Sequence, residues 1–106
     1  MNQKPPKHLT AATRRWWATV VGEYELEEHH IRLLTLAAEA HDRGTEARTT
    51  LKQVGAYYEN RFGEPRAHPA VAVERDSRIA FARLMRELDL DGEPAPDNRP
   101  PRVPGR

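Results

Sequence analysis

The sequence predicts a mainly α-helical fold: a short helix, a long central helix, a small β-hairpin and a C-terminal helix, with a disordered Pro-rich tail. Three observations carry this prediction. Apolar residues recur at spacings of three and four over most of the chain. Short glycine- and proline-bounded runs with two tyrosines interrupt that pattern once, between Gly55 and Pro69. After Gly92 the composition collapses to Pro, Arg and acidic residues, from which no core can be built.

The chain has 106 residues, enough for one domain. Residues 1–8 read as a flexible N-terminal arm interrupted by Pro5-Pro6, 9–92 as the helical domain, and 93–106 as a flexible tail. Thr10 suits an N-cap, since its hydroxyl can accept from the free amides of a first turn. From Ala11 to about Gly22, Ala12, Trp16 and Val20 form one apolar row and Trp17, Val21 and Tyr24 another. Gly22 to Leu26 reads as a connection.

A helix from about Glu27 to Val54 follows, about 42 Å long at ~1.5 Å per residue. Glu27 and Glu28 fall in its first turn, where carboxylates favour the positive end of the helix dipole. Glu28–Arg32 and Glu39–Arg43 have i,i+4 spacing. Leu33, Ala37, Ala40, Gly44, Ala47, Leu51 and Val54 alternate spacings of four and three, a heptad seam with a small-residue middle. Gly44 costs about 1 kcal/mol relative to alanine inside a helix. It predicts either a break near Asp42–Thr45 or a close helix crossing, with the chain's own last helix or a second subunit as the partner.

Gly55 fits a helix end. Ala56–Glu59 and Glu64–Ala67 then read as a hairpin turned at Gly63, with Pro65 confining its strand to an edge. Such a hairpin is marginal alone and is expected to pack on the helices. Pro69 suits the first position of a helix running to about Leu88, with Phe81, Leu84, Met85 and Leu88 as its apolar face and a Glu74–Arg78 pair.

Net charge is +1, so no global field draws nucleic acid. The distribution is less even. Lys4, Lys7, Arg14 and Arg15 precede the first acid, Glu23, and form a candidate DNA-binding patch. Two solvated surfaces would give the same pattern. Trp16-Trp17 suggests base stacking. Neighbouring helical positions diverge by about 100°, however, so one core ring and one interfacial ring is the expected arrangement.

The chain has no cysteine, which excludes disulfides and thiolate chemistry. His8, His29, His30, His41 and His68 lack the i,i+4 spacing of a zinc helix, so no metal is expected. Ser77 is the sole serine and has no nucleophile motif around it. Asp89 and Asp91 flank Leu90 at a helix end, where exposure is expected. The chain is read as non-catalytic, without cofactors. No apolar run is long enough to span a bilayer, and no signal peptide is read at the N-terminus.

The ordered segments resemble the phage terminase small subunits. Residues Pro6 to Trp17, Arg32 to Ala40, and the run from Gly55 through Phe62-Gly63 and His68-Pro69-Ala70 to Arg83–Leu90 carry the resemblance, which covers about residues 5–94. Many similar proteins have glycine where Asp89 stands here, so local helix termination is expected to differ. The resemblance implies a homo-oligomer, a ring, that recognises viral double-stranded DNA. It further implies delivery of that DNA to a terminase large subunit carrying the ATPase and nuclease, in the cytoplasm of the bacterial host. A helical interaction scaffold that never touches DNA is the alternative.

Overall fold

A computed structural model of the chain describes residues 3–90. Its elements are helices α1 (Ala11–Glu23) and α2 (Glu28–Val54), strands β1 (Tyr57–Glu59) and β2 (Pro65–Ala67), and helix α3 (Pro69–Leu88). The expected tail, 93–106, lies outside the described residues. Among those described, no helix is long and apolar enough to cross a membrane.

Helix α1 begins where Thr10 turns extended and its hydroxyl accepts the Thr13 amide at 3.3 Å. A second cap comes from α2. The Asp42 carboxylate accepts the Thr10 amide at 2.8 Å, the Thr10 hydroxyl at 3.0 Å and the Thr13 hydroxyl at 2.6 Å. These bonds satisfy donors of the first turn and place a negative charge at the positive end of α1.

The inward face of α1 is therefore rotated from the expected one. Thr13, Trp17 and Val20 are buried, whereas Ala12 is exposed and Trp16 half-buried. A threonine can occupy the interior here because Asp42 satisfies its hydroxyl. Trp17, Val20, Leu9, Leu34, Ala38 and Leu88 form the main apolar cluster. The Trp17 indole donates to the Thr35 hydroxyl at 3.2 Å, so its one polar atom is not stranded.

The segment expected to be a flexible arm is tied down at its end. Pro5 and Pro6 are half-buried, Leu9 is buried, and His8 bonds Glu39 of α2 at 2.8 Å.

Helix α2 starts with a reciprocal cap. The Glu27 side chain accepts from the His30 amide, and the His30 ring nitrogen Nδ1 accepts the Glu27 amide at 3.1 Å. The helix then runs unbroken through Asp42–Thr45, so the expected alternative of a break gives way to the close crossing. Gly44 is buried, and a Cβ built there would stand 3.3 Å from the Ser77 Cβ on α3. Arg48–Glu74 and His41–Phe81 meet on either side of that point. Residue number rises along α2 as it falls along α3, so the two helices are antiparallel.

Each end of α3 is capped. His68 Nδ1 accepts the Ala70 amide at 3.0 Å, and Pro69 follows at the first helical position. At the far end Asp89 takes the left-handed conformation, φ 53° and ψ 53°, that glycine would hold more cheaply.

The hairpin departs from expectation. Its six strand residues are all exposed, and among the described residues no helix buries them. Asn60 organises the turn: its side-chain oxygen accepts the amides of Phe62 and Glu64 at 2.9 and 3.0 Å, and Gly63 supplies a φ of 76°. The strands pair antiparallel with Tyr57 opposite Ala67, Tyr58 opposite Arg66 and Glu59 opposite Pro65.

Candidate nucleic-acid interface and helix seam

The four candidate phosphate-binding bases lie at the N-terminal side of the fold. Lys4 and Lys7 are exposed on the segment leading into α1. Arg14, half-buried, and Arg15, exposed, follow on the first turn and a half of α1. None of the four is in an ion pair among the described residues. Bases without a carboxylate partner keep their charge available for phosphate, a contact that needs no base-specific geometry.

The adjoining surface has the opposite character. A shallow cleft of about 550 Å³ between the N-terminal segment and α2 is lined by Glu39, Asp42 and Glu46, with Arg43 and His8 as its bases among the described residues. Burial alone would raise the Asp42 carboxyl. Hydrogen bonds from the Thr13 hydroxyl and the Thr10 amide and hydroxyl, with the charge of His41, outweigh it and hold the carboxyl below its ordinary value. This acidic lining disfavours phosphate, and neither Arg14 nor Arg15 is part of it.

The two tryptophans have separate surroundings. Trp17 is 2% exposed in the core. Trp16 borders a cleft of about 290 Å³ with Ala12, Thr13, His41 and Phe81, its ring centroid 6.2 Å from that of Phe81. The rings therefore do not form one stacking platform.

The seam residues divide. Ala37, Ala40, Gly44 and Ala47 are buried, and Gly44 lies directly against α3. Leu33 and Leu51 are half-buried, and Val54 is 56% exposed. The small-residue middle is thus filled by the chain's own last helix. Among the described residues, exposed large apolar side chains lie farther on, at Val54, Tyr57, Tyr58, Phe62 and Val73, and singly at Leu36 and Ile79.

The charged pairs read from spacing are only partly formed. Glu28–Arg32 closes at 3.0 Å. Glu39 instead bonds His8, and Glu74 sits between Arg78 and Arg48, 3.6 Å from each. The histidines are dispersed: His29 and His30 stack on each other with centroids 4.0 Å apart, and His41 packs on Phe81. No group of three metal-binding side chains occurs among the described residues. Asp89 caps α3, and Asp91 lies outside the described residues.

Sequence reasoning missed Asp42, the residue that fixes the start of α1. Nothing in its neighbourhood marks it, because its partners lie about thirty residues away and meet it only in the fold. No protein-family model matches the chain, and no curated protein and no solved structure matches it either.

Proposed function

We propose that the chain is the non-catalytic small subunit of a phage terminase. In this reading a homo-oligomer binds viral double-stranded DNA and brings it to the ATPase–nuclease large subunit in the bacterial host's cytoplasm. The observation that carries the reading is the order of its parts. A threonine-capped short helix, a long helix, a glycine-turned hairpin and a proline-started helix follow one another at the positions of the resembling segments. Arg14 and Arg15 of α1, without carboxylate partners among the described residues, supply a surface for phosphate. The exposed apolar end around Val54 and the hairpin supplies a surface for subunit contacts.

The acidic cleft beside α1 favours the second reading, a scaffold that binds proteins and not DNA. Native mass measurement of the full chain with and without duplex DNA separates the two. The terminase reading expects a multimer at micromolar concentration that gains the mass of DNA. A strictly monomeric chain overturns that reading, and a multimer that leaves DNA unbound establishes the scaffold.

A further inference from the structure

The outer edges of the exposed hairpin differ. The Ala56 carbonyl accepts the His68 amide at 2.7 Å, and the Asn60 amide donates to the Glu64 carbonyl at 3.0 Å. Antiparallel ladders alternate bonded and non-bonded pairs. Tyr58–Arg66, midway between those contacts, is therefore a bonded pair, whereas Tyr57–Ala67 and Glu59–Pro65 are non-bonded. Main-chain groups of these last four residues point out of the ribbon. On β2 the outward row contains Pro65, which has no N–H and blunts that edge. On β1 the outward row is complete.

We infer that the outer edge of β1 pairs antiparallel with β1 of a second copy of this chain, about a two-fold axis at Tyr58. In that register Tyr57 of each copy lies opposite Glu59 of the other, and each such pair exchanges both main-chain hydrogen bonds. Tyr58 meets Tyr58 as the central, non-bonded pair, where side chains approach most closely.

Several features fit a second copy as the occupant. Three-residue strands with every residue exposed do not make a stable ribbon alone, and joining two ribbons gives four strands. The register sets no like charges opposite each other, since Glu59 faces tyrosine. Pro65 blocks β2, so pairing stops at two ribbons instead of propagating. Tyr57 and Phe62 are 71% and 72% exposed, with Tyr58 and Val54 about half exposed. Aromatic side chains carry roughly 150–250 Å² each. The patch thus offers a few hundred Å² of the ~800 Å² per partner that a standard interface buries. The contact does not depend on DNA binding, and it gives the hairpin surface that the proposed function assigns to subunit contacts a specific two-fold form.

The test exploits the absence of cysteine. Tyr58→Cys in the full chain places one thiol at the axis. Residues at non-bonded antiparallel positions have Cα atoms about 4.5 Å apart, within disulfide range. Mild oxidation is expected to convert Tyr58→Cys to a covalent dimer. Tyr57→Cys, whose own copy lies two residues along the partner strand, should stay uncrosslinked. Glu59→Pro removes an outward N–H but no bond within the ribbon, and should halve the native mass while circular dichroism shows the helices intact. Crosslinking no faster at position 58 than at 57, or an unchanged mass for Glu59→Pro, overturns the inference.

Discussion

Gly44 of α2 and Ser77 of α3 meet where the two helices cross, so closely that a Cβ on Gly44 would stand 3.3 Å from the serine Cβ. That Cβ is fixed to the α3 backbone and cannot swing aside. A larger residue at 44 must push the helices apart, losing the contacts of Ala40 and Ala47 as well. Gly44→Leu is expected to destabilise the chain by about 1–3 kcal/mol or more, despite leucine's better helix propensity. Urea denaturation measures it, and a gain in stability would show that the helices do not cross here.

Asp42 ties the start of α1 to α2. Asp42→Asn keeps an acceptor for the Thr13 hydroxyl but turns an amide NH₂ toward the Thr10 N–H, donor against donor. The expected loss is about 1–2 kcal/mol at neutral pH. Because the folded carboxyl is held below the ordinary 3.8, its contribution is complete above that value and is lost as pH falls through the lower folded value. The stability gap between the native chain and Asp42→Asn should therefore be flat above about pH 5 and close in acid. Denaturant midpoints across pH check this; a gap that persists unchanged below pH 3 would assign the effect to shape, not charge.

Trp16 and Trp17 should respond very differently. Trp17→Ala empties a core site and should cost about 3–5 kcal/mol. Trp16→Ala removes a ring from the edge of a cleft and should cost under half as much. Equal losses in thermal or urea unfolding would place both rings in one core.

Asp89 holds a left-handed backbone at the end of α3, a conformation costing an ordinary L-residue roughly 1–2 kcal/mol. Aspartate bears less of that cost than most residues, so Asp89→Gly should stabilise the chain by under about 1 kcal/mol. A loss of stability would mean that the carboxylate makes a contact that outweighs the backbone strain.

The helices were legible because their signals are local. Thr10, Gly55 and Pro69 mark boundaries through their own backbone chemistry, and the four-and-three spacing from Leu33 to Ala47 reports a packed face whatever packs on it. The identity of the packing partner was not legible: the seam allowed another subunit, and it is the fold, with Ser77 opposite Gly44, Glu74 by Arg48 and Phe81 by His41, that places α3 there. Nor was the rotation of α1, since Thr13 looks polar until Asp42 is brought to it. The hairpin strands were readable from Tyr57-Tyr58 and Gly63. Their exposure was not, because periodicity reports which residues could be buried, not whether a surface arrives to bury them. The candidate site shares this limit. Arg14 and Arg15 stand out in the sequence, but the acidic cleft between the N-terminal segment and α2 is assembled only in the fold, from Glu39, Asp42 and Glu46.

The proposed function requires that α1 present phosphate-binding charge. The direct measurement is the affinity of the full chain for duplex DNA across a salt series, for the native sequence and for Arg14→Ala with Arg15→Ala. Binding is expected to weaken with salt, with a log–log slope about two units shallower in the double variant. Native binding with no salt dependence, or a slope that the double variant leaves unchanged, would contradict it.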